Sequence, residues 1–437
     1  MATRTTRARL AAVGLLSALA LVTAACGGAI GERAGASGQA TMWGITGAPM
    51  QNILEQSVED WSSAHPDQQI AVDFFGADAY KSKVRTAVGA DEGPTLIYGW
   101  GGGGLKAYVD AGKVLDLTPY LADRPQLRDR YAGAVADNGV IDGRTYGIPN
   151  NAGGPVMLYY NKTLFAEAGV APPATWGELM ALVGVFAERG VAPIALAGQS
   201  RWTSMMWLEY LVDRIGGAEV FKSVLAGEPN AWAHPAMRDA LVKIQELVAA
   251  GGFAEGFSSI AADNKADQAL LRTGRAAMLL QLGGTYAAIK NDAPDFVDQL
   301  GYVPFPIVEG GTGDPRNLVG NPANVWSISA QATPEQRDTA LDYLTEAVFD
   351  KPYVDAFLQA GSAPAVVGIQ DELNGPGTTD YMRTVYGWTT GAPNYQLSWD
   401  QALAPDQAAA LLTNLELVFL QQQTPDQFIA AMNATIG

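Results

Sequence analysis

The stretch "TLIYGWGGGGLKAYV" (residues 95–109) sets an apolar run against four consecutive glycines, Gly101 to Gly104, and then a run with helical character. Strand, glycine turn, helix is the grammar of an open α/β sheet, and what the glycines serve decides which one. Gly99, Gly101 and Gly104 satisfy G-x-G-x-x-G. A dinucleotide fingerprint also requires a second parallel strand after the helix, ending in an acid about 20 residues on. Here the continuation is "VLDLTPYLADRPQLRD" (114–129), where Pro119 and Pro125 bar a central strand and Asp123 sits in a turn-like setting. A phosphate loop fails as well, because Lys106 does not directly follow Gly104 and no Ser or Thr comes after it. Two uses are left for the glycines: backbone approach to some other ligand, with Trp100 offering an aromatic face, or a purely structural turn.

Outward from this stretch, "ATMWGIT" (40–46) and "IAVDFF" (70–75) read as buried strands. Between them Met50, Ile53, Leu54, Val58 and Trp61 fall on one helical face before Pro66, and a further helix over about 79–90 leads to "TLIYG". The result is β-α-β-α-β. Ligands of such sheets bind at the carboxyl ends of the strands, where Trp43, Tyr80, Trp100 and Gly101 lie.

The amino terminus bears on compartment. Arg4, Arg7 and Arg9 precede an apolar run, Leu10 to Val22, which is too short to span a bilayer. The run ends in "VTAAC". Cys26, the only cysteine, therefore stands where a signal peptidase would cut, and the segment resembles a bacterial lipoprotein signal, although Thr23 occupies a position more often held by Leu. Residues 1–25 are expected to be a signal peptide and 26–38 a lipidated cysteine with a small-residue linker, placing the protein outside the cytoplasmic membrane on a lipid anchor. One cysteine excludes a disulfide framework and a thiolate metal cluster. Removing three arginines from 28 basic residues leaves 25 against 45 acids, a net charge of −20 that repels nucleic acid.

Farther along, "DGRTYGIPNN" (142–151) interrupts the α/β pattern and a new lobe begins near Pro149. Thr175 and Glu178 have the spacing of a capping box, as do Thr424 and Gln427 around Pro425. "GYVPFP" (301–306) and 323–329 read as strands, and 334–349 as a helix.

The combination "DGRTYGIPNN…LYYNKTLFAEAGVAPPATWGEL", with "GGLKAYVDAGKVLDLTPYL", "LLRTGRAAMLLQLGGTY" and "NPANVWSIS" in that order, resembles the extracellular solute-binding proteins of ABC importers, specifically the oligosaccharide-binding class. The resemblance runs from about residue 40 to the C-terminus. It implies a two-lobed, periplasmic-binding-protein-like α/β fold with a three-segment hinge and a ligand cleft between the lobes. The crossings map near 148–151, 301–306 and 360–365. The N-terminal lobe is then 39–149 with 303–360, and the C-terminal lobe 150–302 with 361–437. The resemblance also implies a carbohydrate ligand, permease subunits with a cytoplasmic ATPase as partners, a monomer and no cofactor. Tyr286 departs from the pattern, since relatives commonly carry Trp there; the aromatic platform is kept and a hydroxyl added.

A sugar ring has an apolar C–H face and a polar equator, so a good site joins flat aromatic rings to amides, carboxylates and guanidinium groups. On that ground Arg201, Trp202 and Trp207 ("SRWTSMMW"), Asn324 and Trp326 ("NPANVW"), and Tyr395, Trp399 and Asp400 ("NYQLSWD") are expected to join Trp43, Tyr80, Trp100, Gly101, Asn151 and Tyr286 around the ligand. Trp61 and Trp176 are expected in the core. His65 and His234 have no ligand-spaced partner, so neither a metal site nor a histidine triad is expected. A surface sensor without transport and a secreted glycoside hydrolase are the alternatives; the second needs only two carboxylates among 45 acids.

Overall fold

The computed structural model describes residues 38–436, except 132, 152, 153 and 365. Cys26 and the leader, on which the lipid-anchor expectation rests, lie outside the described residues. The strands are β1 (Ala40–Ile45), β2 (Ile70–Phe75), β3 (Leu96–Gly99), β4 (Val140–Ile141), β5 (Arg144–Thr145), β6 (Ile148–Pro149), β7 (Gly154–Asn161), β8 (Ala192–Ala195), β9 (Ala276–Leu282), β10 (Leu300–Val303), β11 (Leu318–Asn321), β12 (Val325–Ile328) and β13 (Tyr395–Leu397). They form two mixed sheets and the small hairpin β4–β5. The first sheet has the order β2-β1-β3-β12-β6, with β1, β2 and β3 parallel and β12 antiparallel to β3 and β6. The second has the order β13-β11-β7-β9-β8, with β10 also paired to β7.

Side-chain alternation explains how helices cover both faces of the first sheet. Met42 and Leu96, neighbours in register, enter the main core with Ile53, Leu54, Val58 and Trp61 of the helix Met50–Ala64. One residue along, Trp43 and Ile97 turn to the opposite face and pack with Tyr80, Val84 and Val88 of the helix Ala77–Gly89 and with Leu105. Both expected capping boxes form, at Thr175/Glu178 and at Thr424/Gln427. The helix expected over 334–349 is Pro334–Glu346, itself opened by a box of Thr333 and Gln336.

The chain first passes from one sheet to the other between β6 and β7, where the break near Pro149 suggested it. The second passage differs from expectation. β10 pairs with β7 (Leu300↔Asn161), and β11 pairs with both β7 (Asn321↔Gly154) and β13, so residues up to 321 stay with the second sheet and the crossing is 322–324 rather than 301–306. Phe305, inside the expected crossing, is instead buried in the second lobe, stacked on Tyr210 with centroids 4.7 Å apart. The partners that complete a strand's hydrogen bonds decide its sheet, and a proline-rich string does not reveal them.

Candidate functional site

A cavity of about 320 Å³ lies between the two sheets, within the range of small-molecule sites. The first sheet contributes the loop after β1 (Thr46 to Gln51), Phe74, Tyr98 and Trp326. The second contributes Trp202, Asp263, Lys265, Gln281 and Thr285, and the crossing between the sheets contributes Asn150 and Asn151. This is the carboxyl end of β1, as expected of an open α/β sheet.

The polar groups of the wall fall into two kinds. Most are held by protein. Tyr98 receives the side-chain amides of Asn151 (3.4 Å) and Asn324 on its hydroxyl, while Asn151 Oδ1 accepts the Asn324 backbone N–H at 3.0 Å. The two crossings are thereby tied to β3. Gln281 Nε2 donates to Asp267 at 3.0 Å, and burial is the main reason the carboxyl of Asp267 rises above its usual range. Lys265 donates to the Ala48 carbonyl (3.2 Å) and to Asp292 (2.8 Å), joining the first-lobe loop to the second lobe. Asn150 is different. Its residue is 3% exposed, yet neither Oδ1 nor Nδ2 meets a protein partner. The Trp326 indole N–H on the same wall is also unmatched. A buried donor or acceptor left unpaired costs about 1–3 kcal/mol, so this wall is suited to a ligand offering hydroxyls beside an apolar face.

Of the residues expected around a ligand, Asn151, Trp202 and Trp326 line this cavity, Trp202 half-buried and Trp326 almost fully buried. Asn324 stands behind Asn151 and Tyr98 in the second crossing, outside the strand in which it was expected. Trp100, Gly101 and Asp400 line a second hollow of about 390 Å³ on the far side of Tyr98. Tyr98 partitions the two, its ring edge-on to Trp326 (5.4 Å) and to Trp100 (5.4 Å).

The remaining expected residues lie away from this cavity. Trp207 is 0% and Trp399 1% exposed. Both are core residues: Trp207 packs edge-on to Phe253 and Phe305, and Trp399 stacks on Phe221 at 4.1 Å. Their indole nitrogens are unmatched too, but neither ring lines either of these two hollows. Trp43 and Tyr80 are buried under the first sheet, where the Tyr80 hydroxyl donates to the Tyr98 carbonyl at 2.8 Å. Tyr286 stacks on Tyr381 at 4.0 Å with planes 9° apart, so its platform is already covered. Arg201 pairs with Glu416 at 2.8 Å, and the Tyr395 hydroxyl donates to the Asn321 carbonyl at 3.2 Å.

Three glycines of the opening stretch, Gly101 to Gly103, serve close protein contacts. A Cβ on Gly101, at φ 80°, would collide with the carbonyl of Asn138; one on Gly102 would meet the carbonyl of Gln401, and one on Gly103 that of Leu403. The helix Gly102–Asp110 thus packs backbone to backbone on residues 401–403, the C-terminal end of the helix Trp399–Ala402. Asn150, Tyr98 and Asp263 went unrecognised in the sequence. The "PNN" after a short apolar pair was the one local signal, and it pointed to Asn151 alone.

Among the described residues no group of three or more His, Cys, Asp or Glu gathers to hold a metal. His65 Nδ1 faces the Trp61 carbonyl and His234 Nδ1 accepts the Ala236 N–H, so each serves a helix end. No helix among them is long and apolar enough to cross a membrane.

Two sheets around a hinge-lined cavity define a two-lobed binding protein. Residues 47–351 match the family described as bacterial extracellular solute-binding protein, and the chain belongs to that family. It is 26% identical over 257 residues to the multiple sugar-binding protein of Streptococcus mutans, an alignment spanning 57% of each chain, so the match covers little more than half of that relative's length. A solved structure described with xylan utilization by Caldanaerobius polysaccharolyticus superposes with a TM-score of 0.83 at 28% identity, over 91% of this chain and 100% of the other. A chitin oligosaccharide binding protein shares the fold at a TM-score of 0.78 and 22% identity, over 89% and 94% of the two chains.

Proposed function

We propose that the chain captures a carbohydrate, of oligosaccharide class, in the cavity between its lobes and presents it to the permease of an ABC importer. The observation that carries this is Asn150: a side-chain amide buried on the cavity wall with its donor and acceptor both free of protein partners. A sugar's paired hydroxyls answer both atoms at once, and the rings of Trp202 and Tyr98 on the same cavity suit its C–H faces. Family membership and the sugar-related descriptions of the relatives support the same ligand class.

On this reading the lobes are 39–149 with 325–360, and 154–321 with the C-terminal segment from about 380. The chain binds without turning its ligand over, is held outside the cell membrane through Cys26 and works as a monomer. A ligand that touches both lobes favours the closed form by its differential affinity. The test is a thermal-shift screen of purified protein against xylo-, chito- and malto-oligosaccharides and their monomers. Binding at a hundred times Kd stabilises by about 2.7 kcal/mol, a clear rise in Tm. If no carbohydrate raises Tm, or if one is converted to products, the proposal fails.

A further inference from the structure

The helix Ala77–Gly89 begins without a cap from its own lobe, because Gly76 at its N-cap has no side chain to supply one. The second lobe supplies it. Asp263 Oδ2 accepts the backbone N–H of Asp78 at 3.3 Å, and a Cβ on Gly76 would stand only 2.8 Å from that oxygen. Asp78 reaches back in turn: its Oδ2 accepts from Ser200 Oγ at 2.8 Å, two residues before Trp202. Ser200 Oγ receives the Ala262 N–H at 3.0 Å, which links the two second-lobe segments that meet Asp78. One turn on, Lys81 pairs with Asp400 at 3.0 Å, and the Asp400 side chain is 6% exposed. The first turn of one lobe's helix is thus seated in the other lobe.

Trp202, Ala262 and Asp263 line the ligand cavity, and Asp78 does not. We infer that Asp78 is a positioning residue: on closure it fixes the Trp202 ring and the 262–263 segment, so the aromatic wall of the second lobe takes its final orientation from the first. The clasp itself is independent of which ligand is bound; its consequence for affinity rests on the carbohydrate reading above. Capture and closure are then coupled through a side chain that never touches the guest. Truncating it should loosen the wall as well as the joint between the lobes.

The test compares wild type, Asp78→Ala, Asp78→Asn and Ser200→Ala as purified ligand-free proteins. Small-angle scattering reads lobe separation, and the difference in fluorescence between each protein and its Trp202→Phe counterpart reads the Trp202 environment. Asp78→Ala should give a larger radius of gyration and a red-shifted Trp202 signal with little change in Tm. Asp78→Asn, which keeps an acceptor oxygen, should return both readings most of the way to wild type, and Ser200→Ala should give a smaller opening. Unchanged scattering and an unchanged Trp202 signal in Asp78→Ala overturn the inference, as does an Asp78→Asn protein no closer to wild type than Asp78→Ala. Failure of every sugar to bind would remove the carbohydrate reading and leave these ligand-free results standing.

Discussion

Two hollows flank Tyr98, and both are aromatic. The one holding Trp100 is the larger and lies beside the glycine run that first drew notice. Both of its lysines are answered within the protein, Lys81 by Asp400 at 3.0 Å and Lys113 by Asp91 at 2.7 Å. Of the adjoining glycines, Gly101 is packed against the Asn138 carbonyl of its own lobe, and Gly102 and Gly103 against the Gln401 and Leu403 carbonyls of the other. The hollow holding Trp202 and Trp326 is smaller, and there both amide atoms of Asn150 and the indole nitrogen of Trp326 are unanswered. Rings alone therefore do not mark the binding wall, since they also build cores and joints between lobes. Buried polarity that the protein does not satisfy, where it faces a cavity, distinguishes the proposed wall.

The strongest challenge to this contrast is Gly103→Val, which forces side-chain atoms against the Leu403 carbonyl. It should hold the lobes apart and weaken sugar binding about a hundredfold, roughly 2.7 kcal/mol, in calorimetry, with a larger radius of gyration in scattering. Close behind comes a pH effect on stability from Glu209, whose carboxyl burial pushes up to about 8 and whose Oε1 accepts the Trp399 N–H at 2.6 Å. The unfolded chain loses this proton near 4.5, the ordinary value for a glutamate, while the native state keeps it to about 8, so stability falls as pH rises through that window. Glu209→Gln should flatten the fall, a difference on the order of 2 kcal/mol in chemical denaturation between pH 6 and 8. Asn150→Ala should weaken sugar binding about twentyfold by removing both bonds, with Tm of the free protein unchanged or raised. Trp202→Ala should cost about tenfold and Trp100→Ala less than twofold, each measured by titration calorimetry. Equal losses at the two tryptophans would erase the distinction between the hollows.

Much of the framework could be read along the chain. Short apolar runs placed β1 and β2, the 3.6-residue period placed the helix Met50–Ala64, and two capping boxes fixed helix starts, because each depends on neighbours a few residues away. Sheet membership after residue 300 depends on β7, far off in sequence, and there the reading put a crossing too early. The site was legible in part for the same reason. Trp202 and Asn151 carry local cues, whereas Trp207, five residues farther along the same helix, is drawn into the core by Phe253 and Phe305. Asn150 is held by partners far off in sequence, its N–H donating to the Asn324 carbonyl at 2.9 Å and Tyr353 donating to its carbonyl at 3.1 Å, while its side-chain amide is left unmatched.

The place of β12 carries a consequence for how the molecule is made. It fills the gap between β3 and β6, pairing Ile328 with Leu96 and Trp326 with Ile148. Until that late segment arrives, the earlier strands have bare hydrogen-bonding edges and nothing to join them. Closing so long a loop is slow, and intermediates with open edges invite association. Refolding in dilute solution should therefore show β7 and β9 protected against hydrogen exchange before the β3–β12 pair, with aggregation rising steeply with protein concentration during the interval.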